Sequence, residues 1–72
     1  MELFEELRRT RLEIAKSLSV PPYVVFPDTT LVAFATSRPT SREALLSISG
    51  VGQSKLERYG DAFIEVIRAH TR

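Results

Sequence analysis

The chain has 72 residues, no cysteine, one histidine and a formal net charge of +1 from ten Lys+Arg against nine Asp+Glu. That length gives one small domain near the lower limit for a self-sufficient hydrophobic core, expected to be a segment of a longer protein. The composition excludes a disulfide framework, thiolate metal sites and most histidine metal sites, and it lacks the strongly basic balance of a dedicated nucleic-acid binder, so any positive footprint must be local.

From the N-terminus, Leu3, Phe4, Leu7, Ile14, Ala15 and Leu18 recur at helical spacing and predict an amphipathic first helix over residues 3–18. Arg11 falls inside that apolar stripe, where an unpaired charge is costly, and its five-donor fork is read as an internal strut satisfied by carbonyls or a carboxylate. Leu12 projects on the polar side beside Arg8 and Arg9 and marks a candidate partner contact together with Glu5 and Glu6. Pro21-Pro22 stops the helix. Tyr23-Val24-Val25-Phe26 is too isolated to be a strand and is expected to cross the helices as a loop.

Asp28 is expected to cap a second helix over Thr29–Thr36 that turns Leu31, Phe34 and Ala35 inward and ends at Arg38-Pro39. Thr40-Ser41-Arg42-Glu43 has the form of a capping box launching a third helix through Ala44-Leu45-Leu46. A fourth helix over Ser54–Tyr59 is expected to close at Gly60 as a left-handed cap, and Asp61 to cap a fifth that buries Phe63, Ile64 and Ile67. The fold class is thus all-α, a compact bundle of five short helices. No apolar run is long enough for a membrane span, Met1-Glu2-Leu3-Phe4-Glu5-Glu6 has the wrong charges for a signal peptide, and a cytoplasmic location follows as the expectation. No catalytic constellation is visible.

Between the third and fourth helices lies Gly50-Val51-Gly52-Gln53-Ser54-Lys55. Glycines two apart at a helix start, with a lysine one turn in, leave amide N–H groups able to meet a phosphate. The spacing resembles the helix-hairpin-helix elements that grip nucleic-acid backbones; the plain alternative is a tight turn with nothing bound. Two anchors extend the comparison: Val20-Pro21-Pro22-Tyr23-Val24-Val25-Phe26-Pro27-Asp28-Thr29-Thr30-Leu31, and Ile48 through Gly60 with Lys55-Leu56-Glu57-Arg58-Tyr59-Gly60. Together they resemble the HRDC domain, the helicase-and-ribonuclease-D C-terminal module, most of all that of bacterial RecQ-type DNA helicases, over nearly the whole chain.

The resemblance implies a monomeric, non-catalytic auxiliary domain near the bacterial nucleoid that binds single-stranded or branched DNA weakly. It implies no cofactor of its own, ATP and Mg belonging to the motor domains of a parent helicase. Candidate DNA-binding residues are Tyr23, whose ring could stack on an unpaired base, Gly50, Val51, Gly52, Gln53, Ser54 and Lys55 of the hairpin, and Arg38, Arg42 and Arg58. The rival reading is a protein-interaction or regulatory module that contacts other domains of its parent through Glu5, Glu6, Arg8, Arg9 and Leu12. His70 is read as a helix-terminal cation or packing group.

Overall fold

A computed structural model describes residues 2–71. Its helical segments are α1 (Leu3–Leu18), α2 (Pro22–Val25), α3 (Asp28–Ser37), α4 (Arg42–Leu46), α5 (Gln53–Lys55), a π-helical turn (Leu56–Gly60) and α6 (Asp61–Thr71), with no strand among the described residues. Because α5, the π turn and α6 follow one another without a break, these make five helical stretches among the described residues. The all-α expectation holds, but the chain divides itself differently from the sequence reading.

In α1, Leu3, Leu7, Arg11 and Ala15 are buried at a spacing of four, the stripe that a 3.6-residue period lays on one face. The helix ends at Ser19 in the left-handed region (φ 56), with the Val20 N–H donating to the Ala15 carbonyl at 3.0 Å. Leu18, expected inward, is half exposed because the chain turns away one residue later.

The segment expected to be a loop is α2, one helical turn. Pro22 stands at its first position, where a missing N–H costs nothing, and the Val24 N–H donates to the Pro21 carbonyl at 3.0 Å. The turn sends Val25 and Phe26 into the core and Tyr23 and Val24 outward. Asp28 does not cap α3: Pro27 holds the N-cap position, and the Asp28 carboxylate turns to Arg11 instead. The cap of α4 is Ser41, not Thr40; its hydroxyl accepts from the Ala44 N–H at 3.1 Å, while the Thr40 carbonyl accepts from Arg68 Nε at 3.1 Å.

Gly60 is the largest correction. It is buried at the end of the π-helical turn without a positive φ, and a Cβ there would lie 2.7 Å from Leu56 Cδ1 and 3.4 Å from Leu45 Cδ2. The residue is small because the Leu56 side chain of the same turn packs over it, with Leu45 of α4 in ordinary contact, not so that a helix can end. Asp61 is likewise inside the helix (φ −63, ψ −36) rather than capping it. Gly50 does need its freedom: φ is 95°, and an added Cβ would meet the hydroxyl of buried Thr30 at 2.5 Å.

The core centres on Phe26. Its ring meets Phe34 and Phe63 edge-on at centroid distances of 5.2 Å and Tyr59 at 6.1 Å, inside a shell that includes Leu7, Leu31, Leu45 and Ile67.

Candidate nucleic-acid interface

Tyr23 is 69% exposed on a helical turn whose entry is fixed by two prolines. Directly before it, Pro22 joins Glu5, Arg8, Arg9, Arg11 and Leu12 of α1 in lining a groove of about 310 Å³. Tyr23 does not itself line the groove and is tied to it through Pro22, its neighbour in the chain. Glu6 is half-buried and does not line the groove; it accepts from Arg9 Nη1 at 3.1 Å and so offsets that charge. Arg8 is held more loosely, 3.7 Å from the Glu5 carboxylate and 5.9 Å from the centre of the Phe4 ring. Leu12, 43% exposed, supplies apolar surface.

Arg11 is the strut that its position predicts. Nη1 donates to the Phe26 carbonyl at 2.9 Å and lies 2.8 Å from the Asp28 carboxylate, tying α1 to the start of α3. The burial of this side chain is asymmetric, since Asp28 remains largely in water.

The hairpin candidates divide. Val51 belongs to the core and presents nothing outward. Gly50, Gly52, Gln53 and Ser54 are exposed, and no atom lies within 4 Å of where a Gly52 Cβ would be, so the helix start is open on that side. Gln53 Nε2 donates to the Glu57 carboxylate at 3.1 Å. Lys55 is half-buried and folds back, its ammonium 5.7 Å from the centre of the Phe26 ring, so it is held by the core rather than extended toward a ligand.

Of the remaining arginines, Arg42 forms a bidentate pair with Asp61, Nε to Oδ1 at 3.0 Å and Nη2 to Oδ2 at 2.8 Å. The hydrogen bond from Arg42 holds the Asp61 carboxyl below the usual carboxylate range, and the same bond raises Arg42 further. Arg38 and Arg58 are exposed and form no ion pair among the described residues. Arg38 is left-handed (φ 51) and lines a second cavity with Leu3, Phe4, Ala35 and His70, the last in the final turn of α6, so it stands apart from the groove beside Pro22. Pro22 and Arg11 are groove-lining residues that sequence reasoning misses, because spacing along the chain does not show that α1 and the proline turn flank one groove.

The Asp61 shift carries a pH consequence with a definite sign. A carboxylate lowered in the folded state stabilises above its unfolded pKa, about 3.9, and that contribution is lost as pH falls through the lower folded value. Asp61→Asn is therefore expected to flatten the fall of Tm as pH drops below about 4. Parallel curves for the two proteins would show that the pair does not couple to folding.

The HRDC domain model matches residues 1–67. The chain is 48% identical over 71 residues to the ATP-dependent DNA helicase RecQ of Bacillus subtilis, covering 99% of this chain and 12% of that protein. It is 46% identical over 70 residues to the ATP-dependent DNA helicase UvrD2 of Mycobacterium tuberculosis H37Rv (97% of the chain, 10% of the relative), and 46% identical over 69 residues to RecQ of Haemophilus influenzae (96% and 11%). It thus spans about a tenth of each of these relatives, an accessory portion shared by helicases of two names. With the match running from residue 1 to 67 of an all-helical fold, the chain belongs to the HRDC domain family.

Proposed function

We propose that this domain is a non-catalytic accessory module of a RecQ-like DNA helicase that binds single-stranded or branched DNA weakly and tunes the choice of substrate for the attached motor. The observation that carries this reading is Tyr23, an exposed ring on a proline-fixed turn beside an arginine-lined groove. Every base has a face to stack, so such a ring grips unpaired strands without reading sequence. The paired states of Arg9 and Arg42 and the folding back of Lys55 leave few cations for phosphates, which accounts for weak rather than tight binding. The open start of α5 adds at most a second phosphate contact at the edge of this surface. A cytoplasmic, DNA-associated setting goes with this role, and the ATP and Mg needed for unwinding belong to the motor.

The test is a titration of a labelled thymidine oligomer with the domain at several salt concentrations. With two or three phosphates engaged, log affinity should fall against log salt with a slope of about −2. Salt-independent association, or none at low salt, would remove DNA binding from the account. Docking on other domains of the parent through Glu5, Arg8 and Leu12 would then be the surviving use of the same face.

A further inference from the structure

Arg11 is an unfavourable way to fill the α1 stripe. The residue is nine-tenths buried, its Asp28 partner lies largely in water, and its Nε has no hydrogen-bond partner. Replacing a buried ion pair by apolar side chains of similar size is often neutral or stabilising, and Leu3, Leu7 and Ala15 are what the rest of the stripe uses. What an apolar residue does not supply is a donor. Nη1 reaches the Phe26 carbonyl at 2.9 Å and the Asp28 carboxylate at 2.8 Å, and among the described residues no other donor meets that carbonyl. Both contacts fall on the short link by which the chain leaves α2, the turn that carries Tyr23.

We propose that Arg11 is a positioning residue, which fixes the direction in which α2 presents the Tyr23 ring and contributes through that direction rather than through stability. The proposal rests on the reading of Tyr23 as the ring that meets the ligand. A single helical turn does not hold its own direction. Pro21 and Pro22 set the entry of α2 and have no N–H groups with which to tie it elsewhere. Its exit is set by Phe26, whose ring is locked against Phe34, Phe63 and Tyr59 and whose carbonyl is held by Arg11. With methionine at position 11 that carbonyl is buried and unpaired, and it regains a partner only by turning toward water. Because the Phe26 ring stays in the core, the rotation is passed to α2 and so to Tyr23, three residues earlier.

Residual dipolar couplings of the backbone amides, measured on the 72-residue chain, report the direction of α2 without any ligand. In Arg11→Met the couplings of Tyr23, Val24 and Val25 should depart from those of the parent, while α1 and α6 keep theirs and the melt stays cooperative. Unchanged couplings throughout overturn the proposal, and so does an equal disturbance of α2 and α6, the mark of a strut that only stabilises. Should Arg11→Met fail to fold, Asp28→Ala, at an exposed position, decides in its place: a change confined to α2 supports the proposal and none overturns it. Affinity for a thymidine oligomer supplies the second readout. A turn that presents its ring a tenth of the time binds about ten-fold more weakly, so Arg11→Met should weaken binding by up to about ten-fold in the parent and not at all in a Tyr23→Ala background. If Tyr23→Ala weakens binding and Arg11→Met does not, Arg11 is no positioning residue. If α2 turns and neither variant alters affinity, Arg11 still directs the turn and it is the strand-binding reading that fails.

Discussion

Phe26→Ala is expected to unfold the domain at ordinary temperatures. The residue is fully buried, its ring is packed edge-on against Phe34, Phe63 and Tyr59, its face carries the Lys55 ammonium, and its carbonyl anchors Arg11. Truncating a buried phenylalanine costs about 3–5 kcal/mol through lost transfer energy and the cavity left behind. A single core of this size rarely supplies more than about 3–5 kcal/mol in all, so the two quantities cancel. Circular dichroism should show the cooperative melt lost or moved down by tens of degrees, at about 4–8 °C per kcal/mol. A variant melting within about 5 °C of the parent would mean that Phe26 is not the keystone of the core.

Tyr23→Ala should do the opposite, sparing the fold and removing the ligand. At 69% exposure the ring contributes little to the core, and a surface substitution of this kind shifts stability by only about 0.5 kcal/mol. Stacking on a base is worth about 1–3 kcal/mol, so affinity for a thymidine oligomer should fall roughly 5-fold to 150-fold. Tyr23→Phe should keep most of the binding, because the face of the ring rather than its hydroxyl meets the base. Fluorescence anisotropy at low salt distinguishes these outcomes. Equal affinity for Tyr23→Ala and the parent would move the strand to another surface.

Much of the fold was legible wherever one helix face carries a long apolar stripe, as in α1 and α6, since that periodicity does not depend on partners. Residues with two uses were misread. Gly60 and Asp61 look like a helix stop and start, yet the glycine makes room for the Leu56 side chain packed over it and the aspartate pairs with Arg42, contacts that stop and start signals do not reveal. Asp28 failed as a cap for the same reason: Arg11, seventeen positions earlier, takes its carboxylate. Tyr23-Val24-Val25-Phe26 reads as a loop because it has no partner strand, and the prolines before it read as the stop of α1, although a proline at the first helical position starts a turn as readily as it ends one.

The candidate site was harder to read, because its components depend on which cations are already engaged. Arg11 announced itself by standing in an apolar stripe, and the structure gives it the partners that position demanded. Arg42 and Lys55 look alike in sequence as free positive groups. One is pinned by Asp61 across nineteen residues and the other rests over an aromatic ring. The groove beside Pro22 exists only because α2 is a helical turn packed against α1, so misjudging that turn hid the groove as well.

The central claim, that strands are taken on the Tyr23 and α1 face, is tested most directly by mapping backbone amide shifts while a thymidine oligomer is added to the domain. The account predicts that the amides of Arg8, Leu12, Tyr23 and Val24 move most, with smaller changes at Gly52 and Gln53. Shifts confined to residues 49–55 and Arg58, with Tyr23 and α1 unmoved, would contradict it and return the strand to the glycine hairpin.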